Sequence, residues 1–147
     1  MNLRHSLHID APPTRVWEFT VDVEALPDHT RTMTDVTKLG PGPLTVGSTV
    51  RIKQPAQRSK VWTVTEFEPS KRFSWTTKSA GTTMTASHDL VETPNGTTNT
   101  LSVDLEGRLA PLVGALVGRP IRRAIAIENR ALKTAAESPV QQEPSEP

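Results

Sequence analysis

Polar and apolar residues alternate in LRHSLHI, placing Leu3, His5, Leu7 and Ile9 on one face, the pattern of a half-buried strand. The period then lengthens. In DAPPTRVWEFTVD the spacing of Val16, Phe19, Thr20 and Val23 predicts a short helix. Its prolines suit a first turn, where backbone N–H groups have no intrahelical acceptor, and Asp10 stands where a cap is expected. ALPDHT ends this helical region, and TMTDVTKL returns to an extended pattern. GPGPLTVG is a loop by composition, without the Gly-Lys-Ser/Thr ending and following helix of a phosphate loop.

A meander follows. STVRIKQ sets Val50, Ile52 and Gln54 on one face. SKVWTVTEFE and KRFSWTTK flank Pro69-Ser70, and this region holds Trp62, Trp75, Phe67 and Phe73 in a chain that has no tyrosine. Taken as a two-residue turn, Pro69-Ser70 puts Glu66 opposite Phe73, Val64 opposite Trp75 and Trp62 opposite Thr77. One face is then aromatic, and the other carries Thr63, Thr65, Ser74, Thr76 and Lys78. TTMTASHDLVE and TTNTLSVDLEG flank PNG, a hairpin signal. With Asn95-Gly96 as the turn, Leu90 faces Leu101, His88 faces Val103 and Ala86 faces Leu105.

The remainder is helical in two pieces. LAPLVGALVG has apolar residues at 109, 112, 113, 116 and 117, and RPIRRAIAIENRALKTAAE at 121, 124, 125 and 132. Pro120 suits a first-turn position or a kink between them. Gly114 and Gly118 permit a close approach to a neighbouring element. The order is strand, short helices, about six further strands and a long helix. An antiparallel sheet with one apolar face must cover it, and the C-terminal helix is the available cover, so the fold class is α+β.

A length of 147 residues suits one domain with a real core. A net charge of +1 gives no reason to expect a nucleic-acid partner. Three of the sixteen acidic residues and none of the seventeen basic ones fall in the closing ESPVQQEPSEP, so the body is mildly basic. The domain is expected over 1–137 and a disordered acidic tail over 138–147, where little apolar surface offsets the ordering entropy. The chain has no cysteine, which excludes disulfides, thiol nucleophiles and cysteine-bound zinc. Its four histidines show no metal-ligand spacing, and no cofactor motif is present. The N-terminus lacks a signal-peptide apolar region. LAPLVGALVG, about ten residues, is too short to span a bilayer, so a cytoplasmic chain without stable membrane insertion is expected.

The order of elements and five phrases resemble the START-like helix-grip superfamily (SRPBCC), in its polyketide cyclase/dehydrase and lipid-transport branch. The phrases are IDAPPTRVWEFTVD (9–22), GPLTVGSTVRIKQ (42–54), WTVTEFEPSKRFSW (62–75), NGTTNTLSV (95–103) and ENRALKTAAE (128–137). His29 departs from relatives that often carry a tryptophan after the Leu-Pro turn. The resemblance implies a curved sheet wrapped around a long helix with an internal cavity. It also implies either binding or transfer of an apolar molecule such as a lipid or polyketide, or cyclisation or dehydration chemistry.

The residues offer two readings of the aromatic face: ordinary core, or the wall of such a cavity. As a wall, the ligand-binding set is Ile52, Gln54, Trp62, Val64, Phe73, Trp75, Thr77, Met84, His88, Val103 and Leu116. His88 lies inward between Ala86 and Leu90, as a satisfied core histidine or as a hydrogen-bonding or acid/base group. Glu128 falls on the apolar helix face between Ile125 and Leu132, where a carboxylate needs an Arg or His partner or a cavity border. These two are the acid/base candidates if the protein is a cyclase or dehydratase. A protein-interaction module with a vestigial cavity is a third class. Asp89, Asp104, Ser87 and Ser102 fall on the outward face, so Ser-His-Asp hydrolysis is unsupported. Arg119, Arg122 and Arg123 are either solvated charge or an attraction for an anionic ligand or lipid headgroup.

Overall fold

The computed structural model describes residues 1–79 and 81–139. Strand β1 (Asn2–Ile9) leads into α1 (Pro13–Val21), a 3₁₀ turn (Val23–Ala25) and α2 (Leu26–His29). Strands β2 (Asp35–Lys38), β3 (Thr49–Lys53), β4 (Lys60–Glu68), β5 (Arg72–Ser79), β6 (Thr82–Thr93) and β7 (Gly96–Glu106) precede α3 (Ala110–Glu137). The seven strands form one antiparallel sheet in the order β1-β7-β6-β5-β4-β3-β2, with α3 laid across its concave face, a helix-grip arrangement. The expected tail lies outside the described residues from position 140 onward. Among the described residues no helix is long and apolar enough to cross a membrane.

Asp10 does not cap α1. Pro12 occupies the N-cap, while Asp10 Oδ1 accepts from His8 Nε2 at 2.8 Å and the Asp10 N–H donates to Glu137. ALPDHT does not simply stop the helix, because Leu26–His29 makes one further turn.

Both expected hairpin registers shift. In β4–β5 the pairing of Val64 with Trp75 is present. Nearer the turn, however, Glu66 faces Ser74 and Phe67 faces Phe73, because Pro69, Ser70 and Lys71 make a three-residue loop with Ser70 at φ 62°. The extra residue is absorbed by a β-bulge between Val64 and Glu66. Phe67 therefore points inward where Glu66 was expected. Its ring meets Trp17 at 5.3 Å and Phe73 at 6.3 Å between centroids. Glu66 instead accepts from Arg72 at 2.7 Å on the outer face. Asp89, expected to be solvated, is half-buried and pairs with the same Arg72.

In β6–β7 the turn is Pro94-Asn95. His88 faces Leu101, Ala86 faces Val103 and Met84 faces Leu105, two residues off the expected partners. An even slip keeps each side chain on its face, so the inward set survives. Gly96 pairs with Thr93 instead of forming the turn, and the position admits only glycine because a Cβ there would sit 2.2 Å from the Ile9 carbonyl oxygen.

Helix α3 is a single 28-residue helix that runs through Pro120. Pro120 denies a hydrogen bond to the carbonyl of Leu116, at an exposed position where water can serve it. Gly114 gives a close approach to Met1 and Leu105 rather than to another helix. The helix packs on β1 and β7 and not on β3, β4 or β5. Leu3, Leu101, Val103, Leu105, Ile125 and Leu132 form the resulting apolar cluster. A second cluster joins α1 to β3, β4 and β5 through Val16, Trp17, Val50, Val64, Phe73 and their neighbours.

Two buried amides fasten α3 to the sheet. Asn99 Nδ2 donates to Asn129 Oδ1 at 2.8 Å, and Asn129 Nδ2 donates to the carbonyls of His5 and Asn99, each at 3.1 Å. Both side chains are fully buried. Asn129→Ala removes one partner from several buried groups and is expected to lower unfolding free energy by roughly 1–3 kcal/mol. Arg130→Ala, one residue along and exposed, should change it by less than about 0.5 kcal/mol. Urea titration of both variants checks the contrast.

Candidate functional site

A cavity of about 390 Å³ lies between the two apolar clusters, under the N-terminal half of α3. Each element contributes the residues nearer its open end. On β5 these are Ser79, Thr77 and Trp75 but not Phe73; on β6 they are Thr82, Met84, Ala86, His88 and also Ser87, which was expected on the outward face, but not Leu90. On α3 they run from Val113 to Glu128 and stop before Leu132. Gln54, Gln57 and Lys60 stand at the open end, and His88 and Glu128 form the floor. Phe73, Leu90, Asn99 and Leu132, all buried, close the space beneath.

Of the residues expected to touch a ligand, Ile52, Gln54, Trp62, Trp75, Thr77, Met84, His88 and Val103 wall the cavity. Val64 and Phe73 do not. They are 1% and 0% exposed and belong to the core behind the tryptophans. Leu116 does not either: it is 72% exposed on the outer side of α3. Its neighbours Val113, Val117, Ile121 and Ala124 take the wall. A helical projection places these four beside Glu128, a signal present in the sequence. Met33 and Gln57, from the loops after α2 and β3, carried no periodic signal. His29 is not a wall residue; its ring packs edge-on against Phe19 at 5.6 Å.

Among the described residues, the floor is where two buried ionisable side chains meet. His88 Nε2 and Glu128 Oε1 are 3.8 Å apart, too far for a hydrogen bond. Their side chains are 7% and 12% exposed. Trp75, Phe73 and the helix exclude water around them, and the His88 ring lies 5.6 Å from that of Phe73. Burial disfavours charge on both groups. It pushes His88 down to about 4 and Glu128 up to about 7. Between those values both groups are uncharged, so the expected ion pair is replaced by a neutral imidazole facing a neutral carboxylic acid. Among the described residues nothing hydrogen-bonds His88 Nδ1. No group of three or more His, Cys, Asp or Glu that could hold a metal occurs among them.

The family described as polyketide cyclase / dehydrase and lipid transport matches residues 1–137. No curated protein matches the chain in sequence. Among solved structures, the Zhui aromatase/cyclase from Streptomyces sp. R1128 is 19% identical, with 93% of each chain covered and a TM-score of 0.75. The di-domain aromatase/cyclase StfQ of the steffimycin biosynthetic pathway is 8% identical. It aligns with 92% of this chain and 50% of its own, at a TM-score of 0.76. At these identities the likeness is one of fold.

The floor pair has a pH signature. Unfolded, His88 takes up a proton near 6.5; folded, it does so only near 4, so its contribution to stability is lost as pH falls from 6.5 toward 4. Glu128 ionises near 4.5 when unfolded and near 7 when folded, so its contribution is lost as pH rises from 4.5 toward 7. Between pH 4.5 and 6.5 the two slopes, each about 1.4 kcal/mol per pH unit, oppose one another. Relative to wild type, Glu128→Gln should gain stability as pH rises through this window, and His88→Asn should lose it. Chemical denaturation at several pH values tests this; profiles that are merely displaced in parallel would contradict it.

Proposed function

Because the chain belongs to the polyketide cyclase / dehydrase and lipid transport family, we propose that it holds a small apolar or amphipathic molecule between sheet and α3. The ligand's polar end would rest on His88 and Glu128. The observation that carries this reading is the arrangement of the cavity. Its walls are largely apolar, its volume of about 390 Å³ is within the usual range for small-molecule pockets, and its ionisable lining residues are few: Lys60, His88 and Glu128. A lipid or polyketide with one or two oxygens fits that distribution. At neutral pH the floor offers an uncharged imidazole and a partly protonated carboxyl, both suited to a carbonyl or hydroxyl. A free carboxylate ligand would meet Glu128 in its ionised form, so uncharged head groups are preferred.

A second reading is supported by the same pair and by the aromatase/cyclase activity named for Zhui and StfQ. In a dehydration, neutral His88 would take the proton next to a carbonyl while protonated Glu128 gives its proton to the departing hydroxyl, which leaves as water. A proton passed from His88 to Glu128 would restore both groups. Binding is placed first because a histidine at about 4 has little proton affinity at neutral pH.

Titration with a fluorescent apolar probe, run beside a turnover assay on ligand extracted from the host, separates the two. Ala124→Phe fills the cavity from a half-buried wall position and should abolish probe binding. His88→Asn should weaken binding by about tenfold or less, the value of one neutral hydrogen bond. If His88→Asn leaves affinity intact but cuts turnover by roughly a hundredfold or more, the enzyme reading replaces the binding one. Unchanged probe binding in Ala124→Phe would sink both.

A further inference from the structure

The N-terminal half of α3 carries a second surface, on the side turned away from the sheet. Leu109, Leu112 and Leu116 are 43%, 59% and 72% exposed. At about 3.6 residues per turn they form one stripe. It lies directly beside the cavity-wall stripe of Val113, Val117 and Pro120. The leucine stripe begins at the cavity rim: a Cβ on Gly81 would lie 3.5 Å from Leu109 Cδ1, and Thr82 next to Gly81 is a wall residue.

The charge carried by this stretch of chain is of one sign. From Gly107 to Ile127 the chain has four arginines, at 108, 119, 122 and 123, and no acidic residue. Glu106 and Glu128 bound the stretch, and Glu128 faces the cavity. All four arginines are exposed, and none enters an ion pair among the described residues. In the helical projection Arg119 and Arg123 continue the leucine stripe along the next turns. A solvated charged face does not account for three exposed leucines in a row along it, and an apolar core helix does not account for the arginines.

We propose that this half of α3 docks on an anionic lipid bilayer, the leucines entering the headgroup–acyl boundary and the arginines meeting the phosphates. The geometry is that of a helix lying in the interface plane, which needs no spanning segment. Arginines held near such a surface are each attracted to it, and the attraction falls with salt. Docking there sets the cavity mouth against the lipid, so an apolar molecule has a route between bilayer and cavity that avoids water. The docking surface itself does not depend on which ligand or reaction the cavity serves.

The test is sedimentation of the full chain with vesicles of phosphatidylcholine alone and of phosphatidylcholine mixed with phosphatidylglycerol, at low and high salt. The mixed vesicles should bind at least roughly tenfold more protein at low salt. Leu112→Ser with Leu116→Ser, and separately Arg119→Glu, Arg122→Glu and Arg123→Glu together, should each lose at least about that factor. All these positions are exposed, so melting temperature should hold. Equal sedimentation with both vesicle types would overturn the proposal. So would loss in the arginine variant alone, which reduces the patch to a charge contact. Light scattering without vesicles covers the other occupant: a wild-type dimer that the leucine variant breaks assigns the stripe to a second copy. A chain that sediments with anionic vesicles yet takes up no apolar probe leaves docking intact and removes the ligand reading.

Discussion

An unpartnered side-chain amide is costly to bury, and α3 buries one at Asn129. The cost is met only when the helix is turned so that Asn129 reaches Asn99 and the carbonyl of His5. Apolar packing against β1 and β7 tolerates some sliding and rotation; paired amides do not. With Asn129 held against the sheet, the next residue back is carried round by about 100°. That places Glu128 over the gap rather than in the core. The rest of the site follows from the same setting. Val113, Val117, Ile121 and Ala124 share the Glu128 side of the helix and become wall. Leu109, Leu112 and Leu116 lie one stripe further out and become surface.

Much of this was legible in the sequence, because the period-two alternation of β5, β6 and β7 fixes which residues face inward whatever the exact pairing. His88, Trp75, Met84 and Val103 kept their face even though the β6–β7 hairpin is displaced by two positions. The β4–β5 hairpin was less forgiving. One extra residue in its turn brings in Phe67 and sends out Glu66, and nothing short of three-dimensional packing shows where a bulge will absorb it. Leu116 failed for a different reason. Hydrophobicity alone marked it as cavity wall, whereas the helix exposes more apolar residues than one packed face requires. Asn99 and Asn129 went unremarked, although one occupies the inward parity of β7 and the other lies between Ile125 and Leu132. Two polar residues at apolar positions on elements that must pack together are a signal that can be sought.

The floor shows how one environment acts oppositely on two groups. The same exclusion of water lowers the proton affinity of His88 and raises that of Glu128, because the charged form of each is the one disfavoured. The result is a polar site without net charge at the end of an apolar space. Under the proposed function, such a site would orient a ligand by hydrogen bonds and select by protonation state.

Among the described residues, Phe19, Met84 and Ala86 are the partly buried side chains that pack against both apolar clusters, and the cavity lies along that boundary. In mechanical terms the boundary is a compliant line in an otherwise stiff shell. Spreading β3, β4 and β5 away from α3 stretches contacts made by few side chains and leaves each cluster whole. The work of widening the cavity would fall on this one seam rather than on either cluster.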